Sequence, residues 1–227
     1  MPPTYLVWEH RTLPHFTPED LNKLYNEGFV ATRIDRGVFN QTRSLRINLA
    51  AFSLSSENRR ILKKTEGLSI TSHTIPYAEY TWTIGKLAKD FYTEKFGDGT
   101  FSANKIKELV TNTQKSTFNR LFTYHWLAHP HPIGYCITVE TPEILHYCYP
   151  FYQLQATDYE LPPNLGLGMM LRAILTAQEE GKKYIYLGSL QRPSDTYKLQ
   201  FNGLEWFDGT AWQTDISAAK NLLAQIA

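Results

Sequence analysis

The sequence predicts an α+β fold: a mostly antiparallel central sheet flanked by helices. Three observations carry that expectation. "TFNRLFTYHWL", "IGYCITVE" and "EILHYCYPFYQL" are aromatic and β-branched runs split by "AHPHP" and "TP", as in a three-strand antiparallel meander. "NLGLGMMLRAILTAQEEGK" then keeps near-helical apolar spacing and closes on Gly181. "KYIYLGSL" follows as a short buried strand. A meander, a helix and a further strand, with more helices at both ends, is an α+β order.

The remaining elements follow in chain order. "TPEDLNKLYNEGF" reads as a helix capped at Thr17, with Pro18 in its first turn and Gly28 at its end. "RSLRINLAAF" reads as a strand, and "SLSSENRRILKK" as a short helix capped by Ser55 or Ser56 with basic residues toward its C-terminus. "YAEYTWTIGKLAKDFYTEKF" and "SANKIKELV" are two further helices. "RPSDTYKLQF" is a helical turn, "GLEWFDGTAW" a hairpin around Asp208 and Gly209, and "DISAAKNLLAQI" a last helix. With no repeat, low-complexity tract or Ser/Gly linker, residues 1–227 are expected to form one domain, with residues 1–75 as a candidate N-terminal subdomain.

Composition narrows the function classes. Apolar residues make up 42% and charged residues 20%, as in ordinary soluble globular proteins. No apolar run approaches the roughly 20 residues needed to cross a bilayer, so no membrane partner is expected. The start has no charged segment leading into an apolar one, and two cysteines make no disulfide framework. Cytoplasm is the expected compartment. The net charge of +1 conceals an uneven distribution: residues 33–64 hold eight basic and two acidic residues, while residues 65–227 carry −3. That stretch suits either a solvated basic face or an electrostatic footprint for phosphates.

The Gly-x-Gly of "PNLGLG", placed between a meander and a helix, resembles the turn of the GNAT acyltransferase fold. It departs at the family pattern's first position, where Pro163 has no backbone N–H. Three stretches read together are similar to the arginyl-tRNA–protein transferase family, which includes bacterial leucyl-transferring members. "FSLSSENRRILKK" looks like its phenylalanine, serine and double-arginine segment. "NLGLGMMLRAILTAQEEGKKYIYLG" resembles its leucine–glycine block running into a helix and a tyrosine strand, and "YKLQFNGLEW" its tyrosine–lysine pair. The family's N-terminal cysteine cluster has no counterpart, since the first hundred residues contain no cysteine.

The resemblance implies a divergent aminoacyl-tRNA–protein transferase with a GNAT-like domain. Its partners would be an aminoacyl-tRNA and the N-terminal α-amine of a protein or peptide. Transfer from a ribose ester to an amine is downhill and needs no cofactor. Catalysis needs positioning, a deprotonated amine and stabilisation of the oxyanion. Backbone N–H groups at Gly166, Leu167, Gly168 and Met169 suit the oxyanion or a terminal phosphate; plain turn geometry is the other reading of the glycines. Arg59, Arg60, Lys63 and Lys64 are candidates to grip tRNA phosphates, against the reading of a solvated helix face. Tyr197 and Lys198 would touch the aminoacyl ester or terminal adenosine. No residue is identified as the catalytic base; Asp158 and Glu160 precede the glycines on a loop.

No metal is expected. His125, His129 and His131 cluster in "HWLAHPHP" with no acid or thiolate at ligand spacing beside them. Cys136 and Cys148 read as small core residues. Two rival functions remain: an acyl-CoA-dependent N-acyltransferase using Gly166–Gly168 for a pyrophosphate, and a non-catalytic binder of tRNA or peptide N-termini.

Overall fold

The computed structural model describes residues 5–127, 129–156 and 159–225. In chain order the elements are β1 (Glu9–Thr12), α1 (Pro18–Asn26), β2 (Phe29–Ala31), β3 (Val38–Gln41), β4 (Ser44–Asn48), α2 (Ser56–Lys64), β5 (Leu68–Thr74), α3 (Trp82–Phe96) and α4 (Ala103–Thr111). They continue with β6 (Arg120–Trp126), β7 (Gly134–Glu140), β8 (Ile144–Tyr152), α5 (Leu165–Glu179), β9 (Tyr184–Ser189), a 3-10 helix (Pro193–Gln200), β10 (Leu204–Phe207), β11 (Trp212–Gln213) and α6 (Ile216–Gln225). Two compact units form: residues 1–55, 141–146 and 177–227 make the first, and residues 56–140 and 147–176 the second. Among the described residues no helix is long and apolar enough to cross a membrane.

In the first unit the strand order is β11-β10-β4-β9, followed by the first residues of β8. β4 pairs antiparallel with both β10 and β9, whereas β9 runs parallel to β8 through Ile144↔Tyr184 and His146↔Tyr186. The sheet is therefore mixed, with one parallel pair beside antiparallel ones. A parallel neighbour needs a long crossover, and the chain between β8 and β9 includes α5. Tyr25, Phe29, Phe39, Leu45, Ile47 and Ile185 are fully buried here. α1 starts as the sequence predicts, with Thr17 accepting from the Asp20 N–H and Asp20 accepting from the Thr17 N–H in a capping box.

In the second unit β5, β6, β7 and the remainder of β8 are neighbours in that order, with β5–β6 and β6–β7 antiparallel. The helix predicted over residues 77–96 begins only at Trp82. Upstream, the Tyr77 N–H is committed to the Val110 carbonyl at 2.8 Å, and Thr81 is extended at φ −124°. Ser102 caps α4 by accepting from the Lys105 N–H. Phe118, Phe122, Tyr124, Ile137 and Phe151 fill the centre of this unit.

Candidate functional site

α5 begins where its sequence forces it to. Pro163 cannot donate to a preceding turn, Asn164 takes a left-handed φ of 62°, and the helix runs from Leu165. Both glycines thus lie inside the first helical turn, and neither adopts a left-handed conformation. Turn strain does not explain them. The Gly168 N–H already donates to the Asn164 carbonyl at 2.9 Å. The first-turn N–H groups, which have no carbonyl four residues back within the helix, are those of Leu165, Gly166 and Leu167.

Close packing does explain the bare backbone. A Cβ on Gly166 would lie 2.7 Å from the Tyr152 hydroxyl, and one on Gly168 would lie 2.8 Å from Thr65 Cγ2. Gly168 and Met169 are buried, so the residues of this turn that face solvent in part are Gly166 and Leu167. The neighbour of Gly168 is the residue just past α2: Thr65 donates its hydroxyl to the Ile61 carbonyl at 2.9 Å. Arg172 on α5 donates to the Thr65 carbonyl at 2.5 Å, which also accepts from the Leu68 N–H at 2.9 Å. Burial lowers the Arg172 pKa, and among the described residues its buried Nε has no hydrogen-bond partner.

The structure divides the basic stretch of residues 33–64. Arg46, in the first unit, is 5% exposed; its Nε meets Glu205 at 2.6 Å and its guanidinium lies 3.9 Å from the ring centres of both Tyr184 and Trp212. Arg36 donates to the Pro14 carbonyl, and Arg43 to that of Leu190. These are structural arginines. On α2, in the second unit, Arg59, Arg60, Lys63 and Lys64 are exposed, and Arg60 pairs with Glu57 one turn back at 2.6 Å. Within the first unit Arg36, Arg43 and Arg46 are thus committed to internal partners, while the four cations of α2 face solvent in the second.

Lys64 opens onto a cleft of roughly 550 Å³, whose lining also includes Trp126, His129, Tyr159, Glu160 and Pro163. Trp126 Nε1 donates to the Glu160 carbonyl at 3.1 Å, holding the segment that leads into α5. His129 and Tyr159 face each other with ring centres 4.3 Å apart. One cation, one carboxylate-bearing residue, three aromatic rings and the prolines that precede α5 thus surround one opening. That set suits a planar heterocycle carrying a phosphate: rings stack on a base, and an ammonium meets the charge. Glu160 contributes to this lining, while Asp158 lies outside the described residues.

Tyr197 and Lys198 belong to the 3-10 helix of the first unit. Tyr197 is exposed, whereas Lys198 Nζ is held by the Ser189 carbonyl at 3.0 Å and by Asp195 at 3.1 Å. In the same unit His146 is 1% exposed, and its Nδ1 meets the Tyr25 hydroxyl at 2.8 Å. Burial, with the Lys198 charge second, lowers the His146 pKa to about 3. Among the described residues its Nε2 has no hydrogen-bond partner.

His129 Nδ1 bonds within its own loop, 2.8 Å from the His131 carbonyl oxygen. Among the described residues no three His, Cys, Asp or Glu side chains come together as a metal site. Cys136 is fully buried, and burial pushes its thiol pKa well up, which keeps it protonated.

No motif points to Thr65, Trp126, Tyr159 or Arg172, because the site joins segments near residues 64, 126 and 160; Tyr152 belongs to an aromatic run that suits sheet packing or stacking on a base. The signal for Trp126 and Tyr159 is the aromatic-proline density of "HWLAHPHP" and "YELPP"; Thr65 and Arg172 carry none.

No family model matches the chain. Over 174 residues it is 28% identical to the aspartate/glutamate leucyltransferase of Ruegeria pomeroyi, an alignment covering 75% of this chain and 61% of that protein. The protein of the same name from Dinoroseobacter shibae is 27% identical over 182 residues, with the same coverage of each chain. Among solved structures, L-PGS from Bacillus licheniformis has a TM-score of 0.49 at 11% identity, covering 90% of this chain and 70% of that one. The chain thus spans about 61% of the length of the curated leucyltransferases it matches.

Proposed function

We propose that the chain is an aminoacyl-tRNA–protein transferase, moving an amino acid from the ester end of a tRNA to the α-amine of a protein or peptide N-terminus. The observation that carries this reading is the 28% identity over 174 residues to proteins named aspartate/glutamate leucyltransferase. Their name also suggests leucine as the donor residue, with N-terminal aspartate or glutamate as the acceptor. The parallel pairing of β8 with β9, with α5 between them in the chain, supports a GNAT-like reading of the fold.

The cleft supports the donor half of the reaction. The terminal adenine stacks on the rings of Trp126, His129 and Tyr159, and Lys64 meets a phosphate of the same tRNA end. The first-turn N–H groups of Gly166 and Leu167, the residues of this turn that face solvent in part, serve the carbonyl oxygen as it gains charge. The acceptor amine attacks the ester carbonyl carbon; the C–N bond forms, the bond to the ribose oxygen breaks, and the amine's proton leaves as the ribose hydroxyl is restored. No side chain is assigned as the base.

The test incubates the protein with tRNA pools charged by one amino acid at a time and with peptides differing in their first residue. Mass spectrometry should find a peptide extended by one residue, with leucyl-tRNA and acidic N-termini the best pair. No extension from any donor, together with acyl transfer from acetyl-CoA, would overturn the reading.

A further inference from the structure

The second unit carries another concave surface, between α3 and α4. It has a volume of roughly 560 Å³ and is lined by Tyr80, Trp82, Lys86, Lys89, Asn104 and Lys107. The spacing places these residues by design of the helix: Trp82, Lys86 and Lys89 stand at i, i+4 and i+7 on α3, and Asn104 and Lys107 at i and i+3 on α4. The helices approach closely because Gly85 lacks a side chain. A Cβ there would strike the Tyr80 hydroxyl and come within 3.2 Å of the Ala103 carbonyl oxygen.

Two features of this groove are unexplained by folding. Trp82 is 72% exposed, the most exposed of the large apolar side chains among the described residues. Three ammonium groups surround the same hollow. Lys86 pairs with Asp90 at 2.5 Å, while among the described residues Lys89 and Lys107 have no ion-pair partner. The charges of Lys89 and Lys107, lining the same groove, repel one another unless a further anion joins them.

We propose that this groove binds the phosphodiester backbone of an RNA strand, with Lys89 and Lys107 on phosphates and Trp82 stacked on a base. The inference rests on the tRNA-donor reading and adds to it a second contact, on the tRNA body, separate from the cleft lined by Lys64. A backbone strand fits better than a lipid surface. A helix lying on a bilayer buries a whole apolar face, and this face offers Trp82, Tyr80 and Ala103 among three lysines and an asparagine. Lysines spaced along a groove beside an aromatic ring are instead what a sequence-tolerant nucleic-acid contact requires.

The test compares the full-length protein with Lys89→Ala/Lys107→Ala and with Trp82→Ala, all at exposed positions. Binding of an unacylated tRNA is measured across salt, and transfer is measured from the same tRNA once charged. For the double variant, binding at low salt should fall about tenfold, and the log K against log salt slope should lose roughly two units. Trp82→Ala should weaken binding about tenfold with little change in slope. Both should raise KM for charged tRNA and leave kcat alone. A wild-type protein that transfers, with variants matching it in slope and KM, refutes the groove while the proposed function stands. A wild-type protein that binds tRNA with this salt dependence but transfers nothing refutes the function and keeps the groove. Binding to phosphatidylglycerol vesicles or polyglutamate through these residues, with no tRNA binding, also overturns the inference.

Discussion

Thr65 packs against the bare Cα of Gly168: a methyl added there would lie 2.8 Å from Thr65 Cγ2 and 2.9 Å from its Oγ1. Thr65 is a short, buried, β-branched residue whose hydroxyl is committed to the Ile61 carbonyl, so it has little room to move. Gly168→Ala should therefore cost about 1–3 kcal/mol through overpacking, although the glycine's own backbone conformation is ordinary. Thr65→Ala in the same chain removes both colliding atoms. The double variant should be more stable than the two single losses summed would allow, measured by urea denaturation. Additive losses would show that the two residues do not collide.

The cleft gives a prediction that separates binding from chemistry. Trp126→Ala removes the indole that donates to the Glu160 carbonyl and leaves a ring-sized space beside His129 and Tyr159. If a base stacks there, KM for the charged tRNA should rise by about 10-fold, equivalent to losing 1–3 kcal/mol of stacking. KM for the peptide acceptor should stay where it was, and kcat should change little. Steady-state kinetics with each substrate varied in turn decides it. A rise in the peptide KM alone would assign the cleft to the acceptor.

Arg46 is the basic residue whose sequence position misleads most. It pairs with Glu205, its cross-strand neighbour on β10, between the rings of Tyr184 and Trp212. Removing one partner leaves a buried charge uncompensated, so Glu205→Ala should cost about 3–5 kcal/mol. Arg46→Lys should also destabilise, because an ammonium cannot both lie flat between two rings and reach Glu205, Asn26 and Tyr186. Thermal melts should register both losses. Affinity of the still-folded Arg46→Lys protein for tRNA should be unchanged, which a solvent-facing tRNA contact would contradict.

The legible parts of this chain were those whose local chemistry and tertiary role agree. Thr17 with Pro18, Ser102, and the alternating aromatic runs of β6 to β8 each state their element within a few residues. β5 was missed because "LSITSHT" is polar and largely exposed, and only pairing with β6 defines it as a strand. The three short strands β1, β2 and β3 hold too few residues for a periodic signal and depend on one another for register. For the candidate site, the glycines of α5 were conspicuous in the sequence, but their reason was not. Tyr152 and Thr65 lie 14 and 103 residues away along the chain, and no local pattern relates them to Gly166 and Gly168.

His146 makes the fold sensitive to acid in a calculable direction. Its imidazole is wholly buried against Tyr25, and burial, reinforced by the Lys198 charge, lowers its pKa from 6.5 to about 3. In the unfolded chain the same ring titrates near 6.5. Between those values the unfolded state binds a proton that the folded state does not, so stability is fully present above pH 6.5 and is lost as pH falls toward 3. The slope from this one group approaches roughly 1.4 kcal/mol per pH unit near pH 5. Asp208, whose carboxyl is lowered to about 2 by hydrogen bonds led by that from the Ala211 N–H, adds acid sensitivity mainly below pH 4. Unfolding free energies at pH 7.5, 6.5, 5.5 and 5.0 therefore avoid the Asp208 range, and because burial also lowers the His125 pKa, the difference between the native protein and His146→Gln is what isolates His146. His146→Gln is expected to be less stable at pH 7.5, since it disturbs the contact with Tyr25, yet to lose less stability on acidification. Lys198→Met should shrink the slope only slightly, because burial is the larger cause. Parallel pH profiles for the native protein and His146→Gln would show that His146 takes up its proton as readily in the fold as outside it.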